Sequence, residues 1–443
     1  MENEFVINIG TVNGSGSQSA NLILMRSLFN MGIPVGGKNV FPSNIAGLPT
    51  WFWIRASEQG YTGRRANADI VVAMNAQTMT ADMKSLKAGG VFIYNSDLGQ
   101  ITEVPGASQV IGIPFKTLVD EVTDQIKVKK MVINIIYVGV LIQLLEIDEA
   151  KADAALVHQL GGKQSVLDIN RKGLQRGIQY VRENLAVNVF PFKAKMSNKT
   201  AGKMLIDGNS SAALGAVMGG CTFASWYPIT PASSLMEEFI RISNHYRVNE
   251  EGRSTAAIVQ AEDELAAICM VLGAGWAGAR AMTATSGPGL SLMQEAAGYA
   301  YYTEIPAVVW DVQRTGPSTG MPTRTMQGDL LSAHFASHGD TQFPMLIPGN
   351  PTECFTMAQD ALDLAERMQT LVFVMSDLDI GMNLWMVDRF QYPEKPYDRG
   401  KVLSPEVLKQ ATNYERYGNP DGDGIPWRSL PGNAAGAYTI RGS

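Results

Sequence analysis

Short apolar runs alternate with amphipathic stretches in two parts of the chain. The first part begins with an apolar run at Val6, which enters a Gly/Ser turn at 14–17 before an amphipathic stretch over 21–31. The second part repeats this order, with strand-like runs at 221–226, 258–260, 282–285 and 308–312. Such alternation is typical of an α/β fold with a parallel sheet, whose ligands bind at the carboxyl ends of the strands.

The most unusual local string is Tyr-Pro-Ile-Thr-Pro at residues 227–231. Proline fits the first turn of a helix, and a threonine before it is a natural N-cap. The string therefore predicts a sharp turn after the 221–226 strand, with Thr230 at the N-terminus of a helix. The free N–H groups of a helix N-terminus favour a small anion, although a strand–turn–helix without a ligand has the same pattern.

Polar residues follow the ends of the four predicted strands in this second part. They are Thr230, Glu262, Ser286 and Arg314. Because the carboxyl ends of parallel strands meet at one edge of a sheet, we expect these four residues to converge there.

Six ordered motifs between about residues 208 and 385 resemble the pyrimidine-binding domain in the α subunit of 2-oxoacid:ferredoxin oxidoreductases. The signature string is followed by further motifs at 260–262, 285–289, 313–320, 327–331 and 338–340. The N-terminal part resembles the γ domain of the same enzymes, which several members carry fused ahead of the α part. The resemblance implies an α/β fold class: a γ-type α/β domain, a thiamine-diphosphate-binding parallel-sheet domain of the pyrimidine type, and an extended C-terminal arm.

Breaks in the pattern predict the domain limits. They give a γ-type domain over 1–192, a polar linker over 193–200, a thiamine diphosphate domain over 201–390 and an arm over 391–443. The family normally continues with a further α/β domain after the arm, so we expect the chain to end before the whole protein does.

The resemblance assigns a catalytic carboxylate to Glu262. In the family this group hydrogen-bonds the pyrimidine ring of thiamine diphosphate and so promotes loss of the proton from the thiazolium carbon. Asp263 and Glu264 are the alternative residues for this role. All three acids could also mark only a helix N-terminus, where the helix dipole favours negative charge.

The resemblance also assigns substrate and cofactor contacts. Arg314 matches the arginine that pairs with the 1-carboxylate of the substrate, for which a planar guanidinium is well suited. Thr230 matches a threonine that hydrogen-bonds the same end, and Pro228 a residue whose backbone lies against the pyrimidine. The Thr-Ser-Gly-Pro-Gly motif adds Ser286 and Gly287 to the cofactor-binding residues.

The activity implied is oxidation of a 2-oxo acid with coenzyme A and ferredoxin. The γ–α fusion and the Pro-Ser-Thr-Gly loop at 317–320 resemble 2-oxoglutarate enzymes more than pyruvate enzymes. Pyruvate or a broad range of 2-oxo acids is the alternative substrate, and Lys38 and Arg324 are candidates for reading a distal carboxylate. A non-catalytic scaffold subunit and a non-oxidative thiamine enzyme are the alternatives from other classes.

Several cofactor groups are expected on a partner. A [4Fe–4S] cluster normally needs four thiolates, whereas Cys221, Cys269 and Cys354 are isolated and are predicted to be buried and inert. The Asp-Gly-Asp-Gly string at 421–424 lies in a Pro/Gly/Asn-rich tail and is predicted to be a turn cluster rather than a diphosphate site. We therefore expect a β subunit with the cluster, Mg²⁺ and the diphosphate site in an (αβ)2 assembly.

The remaining features exclude other classes. A net charge of −6 gives no basic field for nucleic acid. The apolar stretch 131–145 is too short and polar to span a membrane and predicts a buried helix or strand pair. The N-terminus lacks a basic segment, which favours a location in the cytoplasm.

His334 and His338 could share a helix face, but no third ligand is near, so no metal site is predicted.

The Gly/Ser turn at 14–17 does not predict a dinucleotide site. An acidic residue that would hold a ribose is missing about 20 positions on. The turn also differs from the family's Gly-Gly-Gln-Gly, which leaves a ligand contact there open.

Overall fold

The computed structural model describes residues 1–43, 46–411 and 414–438 of the chain. These residues form two compact units, Met1–Leu205 with Leu384–Asp388 and Ile206–Asn383 with Arg389–Ser443. The predicted linker at 193–200 lies within the first unit, and the predicted arm lies within the second.

The first unit is built on a six-stranded sheet. Its elements are β1 (Glu4–Val12), α1 (Ser17–Asn30), β2 (Val35–Val40), β3 (Pro49–Ser57), β4 (Ala68–Ala73), α2 (Met79–Ser85), β5 (Leu86–Asn95), β6 (Gln109–Ile113), α3 (Phe115–Val122), α4 (Ile126–Leu144), α5 (Glu149–Leu160), α6 (Gln164–Asn184) and β7 (Lys203–Ile206). The strand order is β2-β3-β1-β4-β5-β6, in which only β3 runs antiparallel to its neighbours.

Helix α4 supplies much of the core of this unit. The apolar stretch 131–145 belongs almost entirely to this single helix, and its central residues from Ile135 to Ile142 are buried. The prediction of a buried helix is thereby confirmed. Among the described residues, no helix is long and apolar enough to cross a membrane.

The second unit contains a second six-stranded sheet. Its elements are α7 (Gly208–Met218), β8 (Phe223–Trp226), α8 (Ser233–Tyr246), β9 (Ala257–Gln260), α9 (Glu264–Trp276), β10 (Ala281–Thr285), α10 (Gly287–Leu292), α11 (Gln294–Thr303), β11 (Ala307–Gln313), α12 (Leu330–His334), β12 (Met345–Leu346), α13 (Pro351–Met368), β13 (Leu371–Asp377), α14 (Leu378–Met382) and α15 (Pro405–Gln410). A further strand of the first unit, β14 (Trp385–Asp388), pairs with β7.

All neighbouring strands of this second sheet are parallel, in the order β12-β13-β11-β10-β8-β9. The parallel sheet predicted from the strand–turn–helix repeat is confirmed. Strands β9, β8, β10 and β11 are consecutive neighbours, so their carboxyl ends lie side by side at one edge. The four strand-end residues predicted to converge follow these four strands.

The C-terminal residues are held to the second unit by arginine side chains. Arg399 and Arg428 both form ion pairs with buried Glu366 of α13. Arg416 forms an ion pair with Glu304 at 2.9 Å. The segment after residue 391, which lacks hydrophobic periodicity, is thus attached through these charged groups and also through aromatic contacts such as Phe355–Tyr392 and Trp276–Tyr438.

Candidate active site at the carboxyl edge of the second sheet

The loop after β8 carries the signature string. Tyr227 and Pro228 are exposed, and Thr230 is half-buried. Thr230 does not cap a helix as predicted, because α8 begins at Ser233 with Ala232 at the N-cap. The Thr230 carbonyl instead accepts a hydrogen bond from Arg314 Nη1 at 2.6 Å, at the carboxyl edge of the sheet.

The three acids after β9 are in three different environments. Glu262 is exposed directly beyond the strand end. Asp263 is the N-cap of α9, where its side chain accepts a hydrogen bond from Ala266 N at 2.7 Å. Glu264 is buried in the first turn of α9. Packing and capping therefore occupy two of the three acids and leave Glu262 without such a structural role.

The turn between β10 and α10 holds Ser286 and Gly287. Ser286 is fully buried, yet its hydroxyl makes no hydrogen bond within the described part of the chain. Gly287 lies tightly against the next loop, since a Cβ there would lie 2.9 Å from Oδ2 of Asp329. At Gly289 a Cβ would lie 2.0 Å from Thr285 Oγ1, so neither position tolerates a side chain without movement.

Arg314 follows β11 and is only 6% exposed. Its guanidinium donates to two carbonyl groups, those of Thr230 at 2.6 Å and Thr319 at 3.1 Å. Burial lowers the pKa of Arg314, and nearby Asp329 opposes that shift. Thr230 and Arg314, which are far apart in sequence, are thus in direct contact, as the convergence of strand ends predicted.

The loop that follows Arg314 closes on itself. Thr315 N donates to the Arg324 carbonyl at 2.8 Å, and Met321 N donates to the Thr315 carbonyl at 2.9 Å. Gly320 has a φ of 55°, and a Cβ there would lie 1.9 Å from the Thr315 carbonyl oxygen. The glycine of the Pro-Ser-Thr-Gly string is therefore required by this tight loop. Arg324 is exposed on it.

Two further acids lie at this edge, and the sequence pattern did not predict them as site residues. Asp311 is fully buried within β11, opposite Thr285 of β10. Asp329, from the Gln-Gly-Asp-Leu-Leu motif, neighbours it. The available signal was an aspartate within an otherwise apolar strand, which is rarely buried unless it is paired.

The Gly/Ser turn of the first unit borders a cavity of about 270 Å³. Gly16 adopts a φ of 85° immediately before α1, which therefore begins at Ser17, earlier than the sequence pattern predicted. The cavity is mainly polar and is lined by residues that include Asn13, Gly14, Ser17 and Trp51. Lys38, a candidate for substrate recognition, lies on β2 of the same unit.

Cysteine environments differ in part from those predicted. Cys221 and Cys354 are buried, and burial raises the pKa of Cys221 to about 12. Cys269 is exposed, so the prediction that all three are buried is wrong for this residue. Its position on α9 faces outward, which the sequence did not distinguish.

The two histidines do not share a helix face. Helix α12 ends at His334, and His338 lies beyond it after Ser337, which has a φ of 77°. Within the described ranges, three or more His, Cys, Asp or Glu side chains nowhere come together to hold a metal ion.

Two family models match the chain. A model described as pyruvate ferredoxin/flavodoxin oxidoreductase matches residues 6–180. A second, described as pyruvate flavodoxin/ferredoxin oxidoreductase, thiamine diphosphate-binding, matches residues 214–420. The second match includes all four of the converging strand-end residues.

Curated relatives carry names from the same family. The α subunit of 2-oxoacid:ferredoxin oxidoreductase 2 of Aeropyrum pernix is 30% identical over 483 residues, covering 97% of this chain and 73% of the relative. The 2-oxoglutarate synthase subunit KorA of Methanocaldococcus jannaschii is 41% identical over 200 residues, covering 43% of this chain and 52% of the relative.

A solved structure matches the whole chain. It is 2-oxoglutarate:ferredoxin oxidoreductase from Magnetococcus marinus with 2-oxoglutarate, coenzyme A and succinyl-CoA bound, with a TM-score of 0.85 and 28% identity. The match covers 100% of this chain and 74% of that one. Together with both family models and the relative from Aeropyrum pernix, it confirms the resemblance, and the chain belongs to the 2-oxoacid:ferredoxin oxidoreductase family as an α subunit with a fused N-terminal γ-type domain.

Proposed function

We propose that this chain, together with a β subunit, converts 2-oxoglutarate and coenzyme A to succinyl-CoA and CO2, with the electrons passing to ferredoxin. The observation that carries the proposal is the contact between Arg314 and Thr230 at the carboxyl edge, because it prepares a guanidinium at the predicted substrate position. The KorA name of one relative and the ligands bound in the Magnetococcus structure support 2-oxoglutarate and coenzyme A.

The residues at this edge fit thiamine diphosphate. The buried hydroxyl of Ser286 has no partner within the described residues, and a polar ligand would satisfy it. Gly287 and Gly289 keep the backbone of the turn close to its neighbours. When bound, the cofactor would supply the carbanion that adds to the carbonyl of the 2-oxo acid.

The environments of the acids after β9 support Glu262 as the catalytic carboxylate. Asp263 is occupied as a helix cap and Glu264 is buried, whereas Glu262 is exposed at the strand end. In the proposal, Glu262 would accept a hydrogen bond from the pyrimidine ring and so favour loss of the proton from the thiazolium carbon. Pro228 is exposed, and its backbone would lie against the same ring.

Arg314 and Thr230 bind the 1-carboxylate of the substrate in this proposal. The guanidinium is already oriented by two carbonyl groups, so little side-chain entropy is lost when a carboxylate binds. A charge-assisted pair in a partly buried site is stronger than one in water. Arg324, exposed on the loop that follows Arg314, remains a candidate for the distal carboxylate.

The proposal places the diphosphate–Mg²⁺ site and the [4Fe–4S] cluster on the β subunit of a cytoplasmic (αβ)2 assembly. The isolated positions of the three cysteines support a partner-held cluster, because such a cluster needs four thiolates. The word alpha in the names of the relatives supports a partner subunit. Pyruvate is the second candidate substrate, favoured by the descriptions of both family models.

A pair of variants tests the proposal in the co-expressed α/β complex. Glu262→Gln should fold normally and lose ~10²–10⁴-fold in turnover, since the amide removes a general acid–base group. Exchange of the cofactor's C2 proton should slow as well.

Asp263→Asn is the matched control, because asparagine caps a helix as well as aspartate does. It should retain both activities. Wild-type turnover in Glu262→Gln, or an equal loss in Asp263→Asn, would refute the assignment. Absence of 2-oxoglutarate turnover in the wild-type complex, beside turnover of pyruvate, would establish the second candidate substrate.

A further inference from the structure

Asp311 and Asp329 form a pair of acids beneath the carboxyl edge. Asp311 is fully buried in β11, and neither of its carboxyl oxygens has a hydrogen-bond donor in the described part of the chain. Asp329 N donates a hydrogen bond to Gln313 Oε1 at 3.1 Å, and Gln313 lies two residues after Asp311 in β11, with its side chain on the same face of the sheet. This bond brings Asp329 to the side of Asp311, and the Oδ2 of Asp329 is also buried without a donor.

Two ionised carboxylates in this position would leave both oxygens of Asp311 and the Oδ2 of Asp329 without a donor among the described residues. An ionised carboxylate only accepts hydrogen bonds, whereas a protonated one also donates. A shared proton therefore converts two unsatisfied groups into one hydrogen-bonded pair, and it removes the repulsion between two buried like charges. The geometry thus favours one shared proton for the two acids.

The surroundings decide which acid holds the proton. Among the described residues, the charge that acts on Asp311 is that of Asp329, and the groups that act on Asp329 are Asp311 and Arg314. The charge that acts on Arg314 is that of Asp329. Burial and the neighbouring Asp329 raise the pKa of Asp311 well above its usual range. Burial also raises the pKa of Asp329, but Arg314 opposes that rise by favouring the ionised form.

We propose that Asp311 and Asp329 share one proton, with Asp311 as the protonated donor and Asp329 as the ionised counter-charge of Arg314 until a substrate carboxylate arrives. Both acids are positioning residues, because neither is the group that contacts the substrate. Arg314 donates its hydrogen bonds to backbone carbonyl groups within the described ranges, and the negative charge that acts on its guanidinium is that of Asp329. The proton sharing stands independently of the proposed function, whereas the counter-charge role rests on it.

The first test compares the thermal unfolding of the wild-type chain and Asp311→Asn across pH. The amide of asparagine can donate to Asp329 at every pH, so the stability of the variant does not depend on this proton. In the wild type, the native pair keeps its proton above the pKa that Asp311 has in the unfolded chain, whereas the unfolded chain loses it. The stability of the wild type therefore falls as the pH rises above that value. The melting temperature of the variant should therefore gain on that of the wild type above pH ~4, by ~3–5 °C for each further pH unit until the native pair ionises.

Exposed Asp124 provides the matched control, and Asp124→Asn should run parallel to the wild type. A parallel course for Asp311→Asn as well would overturn the shared proton. If Asp311→Asn fails to fold, the infrared spectrum of the wild type at neutral pH decides. The absence of a protonated-carboxyl C=O band there would overturn the proposal.

The second test uses Asp329→Asn and acetate, a carboxylate without a 2-oxo group. Removing the counter-charge should make Arg314 bind anions more tightly, so acetate should raise the melting temperature of Asp329→Asn more than that of the wild type or Asp124→Asn. In the α/β complex, the KM for 2-oxo acids should fall by roughly 10-fold, which corresponds to about 1.4 kcal/mol of binding free energy.

Equal acetate stabilisation and an unchanged KM would overturn the counter-charge role. A wild-type complex that turns over no 2-oxo acid would instead refute the proposed function. The pH profile and the acetate titration would still decide the role of the acid pair, because neither requires turnover.

Discussion

Replacing Glu366 by glutamine should destabilise the second unit more than any single surface substitution. Glu366 is 2% exposed and meets three guanidinium groups. Its Oε2 lies 2.9 Å from Arg280 Nη1, and its Oε1 lies 2.9 Å from Arg399 Nη2 and 3.4 Å from Arg428 Nη2. Two of these arginines, Arg399 and Arg428, belong to the C-terminal segment, so Glu366 links that segment to helix α13.

The cost of the substitution follows from what remains buried. Burial raises the pKa of Glu366 although the three guanidinium groups oppose the rise, so the pairs themselves add little net stability. Removing the carboxylate is nevertheless expensive, because it leaves buried cations uncompensated. Arg280 retains an ion pair with Asp363, whereas Arg428 keeps a bond to the Gly275 carbonyl, which carries no formal charge.

We therefore expect the lower end of the usual cost of breaking a buried pair, about 3 kcal/mol. For a unit of this size that corresponds to a fall of ~6–12 °C in melting temperature. Calorimetry on the whole chain measures it. Limited proteolysis should also cut the segment after Arg389 faster in the variant, because two of its attachment points are lost.

Arg399→Gln is the matched control from the same cluster. The Arg399 side chain is 43% exposed, so its pair should contribute less than about 1 kcal/mol. We reason that the buried charge, rather than the number of ion pairs, determines how much this cluster contributes to stability. If Glu366→Gln lowers the melting temperature no more than Arg399→Gln does, that reasoning is refuted.

Two further outcomes are expected. Arg314→Lys should lower kcat/KM for 2-oxoglutarate and pyruvate by the same factor, at a cost of ~2–5 kcal/mol, because a 1-carboxylate is common to both substrates; a changed ratio between the two would refute the assignment. Burial raises the pKa of Asp82 from 3.8 to about 6, so the native state binds its proton more tightly than the unfolded state. The contribution of this proton to the free energy of unfolding is complete below pH ~4 and is lost as the pH rises through ~6. Denaturant unfolding should therefore show a fall of about 3 kcal/mol over this range in the wild type and no such fall in Asp82→Asn.

The sequence by itself determined the parallel sheet and the residues at its carboxyl edge. Each strand–turn–helix unit is encoded locally, by an apolar run followed by turn residues and an amphipathic stretch. Since parallel strands place their carboxyl ends on one edge, the positions of Thr230, Ser286 and Arg314 after such runs were sufficient to predict their convergence. The ordered motifs then identified the family, because the residues of each motif are close together in sequence.

Only the tertiary structure decided which groups pair. Helix α8 begins at Ser233 rather than beside Thr230, and the Thr230 carbonyl is used by Arg314 instead. The joining of Asp311 to Asp329, like the exposure of Cys269 on an otherwise apolar helix, depends on which elements pack against each residue. Burial and long-range hydrogen bonding are properties of the packed sheet and helices, and local hydrophobic periodicity carries no information about partners distant along the chain.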